Sequence, residues 1–435
     1  MLAGDAAHDV RRKRPVGRVA PISAAGNALT VVLPVSAGRE EALKALLTEI
    51  GTHIADNAYF RFSALTSVHF LRWVVVPPES SSSPSLLAFE CNYDGTAEDA
   101  LRELSTVAPT GMNAIYRHCD GARGNGASDA PDVAFLLEHA LPYCAFYVGV
   151  PGANVQQIKG EQAVRRRIEQ YLSDARAGAG PTDARTLYQG AVRLIRADAD
   201  LSSVVDRADD AQTLRPLRLA AGLFGALAVS PAILPALLAI RAKEFFDDET
   251  SQLSISDEAA VLMAREDLQV QNQLTHVVPL RAGPLRAVST RVVLGVIDFL
   301  AREFFTRGSL GGISSIHFAR WVLIDEGRRL LFFSNYDGSW ESYLGDFIDK
   351  AALGLTSIWS NTEEFPKTKF LLFKGARDEE RFKAWTRAHQ IPTQLWYSAY
   401  PDLTVQNILA SRKICAELRR GLKKDREIDR WLRRF

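Results

Sequence analysis

Ser67-Val68-His69-Phe70-Leu71-Arg72-Trp73-Val74 recurs as Ser315-Ile316-His317-Phe318-Ala319-Arg320-Trp321-Val322. A histidine, an arginine and a tryptophan at matching places in an octapeptide point to internal duplication, and that possibility is read before any single motif. Upstream, the ten residues from Leu29 to Gly38 line up with Leu274 to Gly283, keeping the Leu-Thr start, a Val-Val or Val-Leu pair, a proline and the closing Ala-Gly. Downstream, Asn92-Tyr93-Asp94-Gly95 returns as Asn335-Tyr336-Asp337-Gly338, and the register holds through Glu98/Glu341, Leu101/Leu344, Gly111/Gly354 and Ile115/Ile358. The chain is a duplicated domain.

Each copy reads as one series of elements. The Leu-Thr segment is β-branched and predicts a strand. Leu43, Leu46, Leu47 and Ile50 then fall on one face of a helix. The octapeptide is a second strand. A third, at 86–91 or 330–334, follows a loop that is long and Ser/Pro-rich in the first copy (77–85) and short in the second (325–329). Asp-Gly turns the chain into a second helix, with Thr96-x-x-Asp99 shaped as a capping box. A last strand is expected at 145–150 and at 370–373, with extra helical segments at 154–174 and 378–389. The order β-α-β-β-α-β is the split βαβ, ferredoxin-like unit, helical on one sheet face. The bare face needs a partner, and the second copy is the natural one. The fold class expected is therefore α+β: two tandem ferredoxin-like repeats packed as an intramolecular α+β barrel.

Length and composition agree. The chain has 435 residues, 47% apolar and 24% charged, with 52 basic against 51 acidic side chains. That is ordinary globular material, and the balance carries no overall nucleic-acid signature. Cys91, Cys119, Cys144 and Cys415 form no CxxC pair or zinc spacing and suit a reducing compartment. The run Arg11-Arg12-Lys13-Arg14 is followed by no continuous apolar stretch, so a basic tail (1–27) is expected rather than a signal peptide. The expected organisation is this tail, repeat 1 at 28–180, a helical linker at 181–272, repeat 2 at 273–405 and a basic tail at 406–435.

Inside the linker, 219–240 is a run of 22 residues without a charge, bracketed by Arg215, Arg218, Arg241 and Lys243. As one helix it would be about 33 Å long, enough for a bilayer core. Pro231 and Pro235 would interrupt it. A spanning helix, a re-entrant segment and a buried helical pair all stay open. Because the copies need one another, the re-entrant or peripheral arrangement is expected, on the cytoplasmic face of a membrane, the alternative being a soluble cytoplasmic protein. Residues 412–435 carry ten Lys/Arg against four Asp/Glu, with Trp431, Leu432 and Phe435 interspersed. They fit an anionic membrane surface or a solvated terminal helix with i,i+4 ion pairs.

The candidates for chemistry are His317, Arg320, Asp337, His69, Arg72 and Asp94. Strand alternation sets His317, Ala319 and Trp321 on one face and Phe318, Arg320 and Val322 on the other, so a His/Trp or an Arg/Phe pair faces the inter-sheet space. The structural alternative is a polar cluster in which each His hydrogen-bonds a neighbouring backbone group and each Arg pairs with the Asp of NYDG, itself a turn and cap residue. The chain contains no P-loop, GxGxxG, HExxH or GxSxG motif.

Element order and duplication together resemble the dimeric α+β barrel superfamily, and among its members the dye-decolorising peroxidases and chlorite-dismutase-like proteins, which carry two ferredoxin-like units in one chain. That resemblance implies haem held by a histidine, here His317, His276 or His389, with Arg320 and Asp337 assisting peroxide cleavage. Asp94-Gly95 and Asp337-Gly338 echo the peroxidases' glycine-x-x-Asp-Gly motif without its first glycine. The expected role is handling of a lipophilic small molecule in or beside the barrel, as an oxidoreductase if an enzyme. The competing role is a non-enzymatic membrane-peripheral binding or scaffold protein.

Overall fold

The computed structural model describes residues 25–122, 131–178, 183–207, 235–247, 266–305 and 308–435. Its first half runs β1 (Asn27–Pro34), α1 (Glu40–Thr52), β2 (Val68–Val76), β3 (Leu86–Tyr93), α2 (Ala97–Val107), α3 (Pro109–Tyr116), α4 (Val133–Glu138), β4 (Tyr143–Val148) and α5 (Val155–Ala177). Helices α6 (Ala184–Ala197) and α7 (Ala199–Asp206) follow. The second half runs β5 (Gln271–Pro279), α8 (Pro284–Glu303), β6 (Ile316–Ile324), β7 (Arg329–Asp337), α9 (Trp340–Trp359), the two-residue strands β8 (Thr368–Lys369) and β9 (Phe373–Lys374), α10 (Glu379–Ala388), β10 (Leu395–Ser398), α11 (Val405–Arg420) and α12 (Asp425–Leu432). The class is α+β.

Local signals explain the starts of these elements. Leu43, Leu46, Leu47 and Ile50 are the buried face of α1. Thr96 caps α2 by accepting from the Asp99 amide at 3.1 Å, which satisfies one of the four amides a helix start leaves open.

The strands form two four-stranded antiparallel sheets, ordered β1-β3-β2-β10 and β4-β6-β7-β5. The last strand of each half thus belongs to the other half's sheet. Tyr397 and Leu395 of β10 stand opposite Leu71 and Trp73 of β2, and Tyr147 and Phe146 of β4 stand opposite Ala319 and Arg320 of β6. Before crossing, each segment touches its own first strand through one bridge, Val31↔Ala140 or His276↔Gln390. Pro142 and Pro392 come next. A proline has no N–H for a ladder, and there the chain changes sheets. The expected closed barrel is therefore corrected to two open sheets, face to face, bridged at two seams.

The last strand of the second half is also corrected. Residues 370–373 are the tip of the small hairpin β8–β9, and the exchanged strand is Leu395–Ser398. The counterpart of α5 is α11, not the 378–389 segment, because both helices start at a valine whose amide binds the aspartate of NYDG.

Outside the sheets, one core packs α1, α2 and α3 against the first sheet and another packs α8, α9 and α10 against the second. Between the sheets, Val74, Val76, Ala88, Val277, Val322, Ile324, Leu331 and Phe333 make a closed apolar layer. A third core joins α5, α6, α7, α11 and α12, with Tyr188 edge-on to the buried Trp431 at 5.1 Å. The linker helices α6 and α7 share this core with the C-terminal helices, and Trp431 faces the protein rather than solvent.

Since the halves exchange strands, they lie on the same side of any membrane, and a single span between them is ruled out. Among the described residues no helix is long and apolar enough to cross a bilayer. The 219–234 part of the uncharged run lies outside the described residues; residues 235–244 are helical.

Candidate functional site

The six candidate residues separate into two polar groups. Both groups lie where the sheets face each other.

The first group contains the histidines. Each sits at a break in strand register, between Val68 and Phe70 or between Ile316 and Phe318. Such a bulge adds a residue and re-aims the side chains around it. His69 therefore stands by Phe318 and Tyr400, and His317 by Phe70 and Tyr400, while Trp73 and Trp321 turn to the helical cores. The alternation that put His and Trp on one face fails at the bulge.

His69 Nε2 donates to Asp94 Oδ1 at 2.9 Å, and its Nδ1 lies 2.8 Å from Tyr400 Oη. His317 Nε2 donates to Asp337 Oδ1 at 2.7 Å. The second oxygen of each aspartate accepts the amide of Val155 at 2.8 Å or of Val405 at 2.7 Å, the first helical residues of α5 and α11. Asp94 also takes the Gly26 amide at 3.1 Å. A carboxylate at a helix start meets open amides and the positive end of the helix dipole. Each His–Asp pair thus ties a bulged strand to the helix after the exchanged strand. Burial raises the Tyr400 hydroxyl well above its ordinary range, with Asp94 and Asp337 adding to it, so it stays a neutral phenol.

The second group contains the arginines. They pair with Glu90, not with the aspartates of NYDG as expected. Arg72 Nε is bonded to Glu90 Oε2, and Arg320 Nη2 meets Glu90 Oε1 at 2.7 Å. All three side chains are buried. Arg72 reaches across to the Leu274 carbonyl at 2.9 Å, the Ser334 carbonyl at 2.9 Å and Asn335 Oδ1 at 2.7 Å. Arg320 reaches the other way, to the Leu29 carbonyl at 2.7 Å and the Cys91 carbonyl at 3.2 Å. Asn335 donates to Asn92 Oδ1 at 3.2 Å and accepts from Trp396 Nε1 at 2.9 Å. Burial brings the Arg72 guanidinium down to about 10, with Glu90 opposing, so it stays charged at neutral pH. Two cations against one carboxylate leave a buried charge of one, spread over carbonyls of both sheets.

The candidate haem ligands do not converge. His317 Nε2 is held by Asp337. His276, from β5, is wedged edge-on between Trp359 and Trp385 at 5.0 and 4.8 Å, with His389 at 5.9 Å. The cavity beside it, lined by Trp321, Phe332 and Phe347 among others, is about 20 Å³, room for one water. His389 Nδ1 binds the Trp385 carbonyl at 2.9 Å, and its Nε2 stands 3.4 Å from Glu364. Asp337 thus occupies His317 Nε2 and two tryptophans enclose His276, so neither offers an open coordinating face for a macrocycle. Among the described residues no three His, Cys, Asp or Glu side chains come together to hold a metal ion.

The comparisons with known proteins come back empty. No protein-family model, curated protein or solved structure matches the chain.

Sequence reasoning missed Glu90, Tyr400 and Phe333. Glu90 was the visible signal: it is the one charge in the apolar strand 86–93. An open groove, lined by Lys44, Thr48, Gln273, Glu363, His389 and Trp396 among others, runs beside the crossing segment 388–396. Gln273 and Thr393 form its floor towards Arg72, linked by bonds of 2.7 and 3.1 Å.

Proposed function

We propose that this chain is a non-enzymatic, membrane-peripheral binding or scaffold protein, built from two strand-exchanged ferredoxin-like halves. One observation carries the non-enzymatic part of the reading: both His–Asp pairs are kept, and in both the aspartate's second oxygen binds the first amide of the following helix. A catalytic His–Asp pair would need a free histidine nitrogen at open space. Here Asp94 and Tyr400 take both nitrogens of His69, and the neighbouring inter-sheet layer is filled by Val74, Val322, Leu331 and Phe333. The same contacts made twice support a structural duty, since chemistry needs only one copy. The groove beside 388–396 is the opening for a ligand, and its mixed charge favours a polar one.

Titrating the purified chain with haem, followed by ultraviolet–visible spectroscopy, tests the reading against the haem alternative. No Soret band should develop, and His69→Ala and His317→Ala should each lower stability by about 1–3 kcal/mol, the loss of a hydrogen bond to a charged group. A stoichiometric Soret band that disappears in His317→Ala would overturn it.

A further inference from the structure

Thr368–Lys369 and Phe373–Lys374 pair as a hairpin whose turn is Phe370-Leu371-Leu372. Phe370, Leu371 and Lys374 have φ of 57°, 60° and 63°, a left-handed region that costs a non-glycine residue about 1–2 kcal/mol. Buried Glu244 holds this turn. It accepts the Leu371 amide at 2.8 Å, the Phe370 amide at 2.9 Å and Thr368 Oγ1 at 2.8 Å.

The strained turn carries apolar side chains outward. Leu372 is 40% and Phe373 49% exposed. Beside them, Arg241 lies over the rings of Phe245 at 4.1 Å and Phe370 at 5.9 Å, which fixes the 235–246 segment against the hairpin. Leu238, Phe245 and Phe246 are exposed there, the last two by 68% and 86%. Lys243, Lys367, Lys369 and Lys374, on the same two segments, are exposed as well. Glu244 is taken up in the turn and Asp247 pairs with Arg281 and Arg286, while nearby Glu363 is exposed and Glu364 has only His389 beside it.

We propose that this hairpin and the 235–246 segment form a docking surface for an anionic lipid bilayer, with Leu372, Phe373, Phe245 and Phe246 entering the headgroup region. The inference rests on the membrane-peripheral reading above and names the surface that serves it. Apolar tips framed by lysines match a negatively charged interface, where the chains reach the acyl boundary and the cations remain with the headgroups. A soluble anion would use the lysines and leave four large apolar side chains in water. The uncharged run 219–240 leads directly into this surface in sequence.

Flotation of the full chain with phosphatidylcholine vesicles, and with vesicles that also contain phosphatidylserine, is the test. Wild type should float with the anionic vesicles and stay down with the neutral ones. Leu372→Ser/Phe373→Ser and Lys369→Glu/Lys374→Glu should each lower the bound fraction about tenfold or more, with unchanged unfolding midpoints because all four positions are exposed. Wild type and both variants floating alike would put the contact elsewhere and overturn the proposal, leaving the membrane reading standing. Failure of wild type to float with either vesicle would overturn both. A sedimenting dimer abolished by Leu372→Ser/Phe373→Ser would give the surface to a second copy and overturn the proposal too.

Discussion

Glu90 and Phe333 occupy the same place in the two halves, two residues before the asparagine of NYDG, and both buried arginines lie against both of them. Glu90 binds Arg72 and Arg320 through its two oxygens; the Phe333 ring has their guanidinium carbons at 5.1 and 5.9 Å. A strictly repeated strand would put either two carboxylates here or none. One acid and one aromatic face let a single carboxylate serve both cations, with the ring quadrupole below them.

That arrangement predicts an asymmetric response. Glu90→Gln leaves two buried guanidinium groups without a counter-charge and should cost about 3–5 kcal/mol. Arg320→Met leaves Arg72 and Glu90 as a neutral pair and should cost less, although both are buried charge deletions. Urea midpoints of the two variants decide it. If Arg320→Met is the worse, the excess positive charge is not the governing term.

Gly51 predicts a substitution that runs against helix propensity. Glycine to alanine inside a helix normally gains about 1 kcal/mol. At Gly51, near the end of α1, an added Cβ would come within 2.1 Å of the Gln394 carbonyl oxygen and 3.1 Å of the Leu395 Cα. Both atoms are backbone, at the start of the exchanged strand β10. Gly51→Ala should therefore destabilise the protein by about 1–3 kcal/mol, where Gly345→Ala, with nothing within 4 Å, should not. Paired thermal melts check the contrast.

Much of this was written in the sequence, but not the pairing. The octapeptide and NYDG locate the strands, and a period of two assigns side chains to faces, although β2 and β6 are buried on both faces. Period two says which face a residue takes and nothing about which strand lies alongside, so the exchange of β4 and β10 was not legible. The apolar run Phe370–Phe373 drew the last strand to the wrong place. Two weaker matches mark the right one: His139-x-Leu-Pro with His389-x-Ile-Pro, and Val155-Gln-Gln-Ile with Val405-Gln-Asn-Ile. The bulges at His69 and His317 were hidden too, since one extra residue in a strand leaves no compositional trace. That is why Arg was expected on Asp when His takes it.

His276 and His389 predict a loss of stability in mild acid. Burial pushes His276 well below its ordinary 6.5, with His389 adding to it, and burial likewise lowers His389, against the Trp385 carbonyl and Glu364. The unfolded chain therefore binds protons that the folded chain refuses. Their contribution is full above pH 6.5 and declines as pH falls towards the folded values, by at most about 1.4 kcal/mol per pH unit for each ring. His276→Leu should flatten the dependence of the urea midpoint between about pH 6.5 and 5. An unchanged slope would mean that other groups carry it.

The last prediction concerns the chain's own two halves. In an ordinary tandem protein each repeat closes its sheet and folds alone. Here β2 has β10 on its open side, and β6 has β4. The helices that follow the exchanged strands, α5 and α11, then share one core with α6, α7 and α12. A fragment of residues 1–207 would leave the β2 edge unpaired, strip β4 of its only ladder and expose the inter-sheet layer, an arrangement prone to aggregation. A fragment of residues 266–435 would fare the same. Expressed separately, each should be insoluble or lack a cooperative transition; expressed together, with a tag on one, they should co-purify at equal stoichiometry and unfold as a unit. The exchange makes the two halves complementary parts of one fold, so a 1–207 fragment that melts cooperatively as a monomer would contradict it directly, since the strand pairing leaves that fragment without half of what completes its sheet.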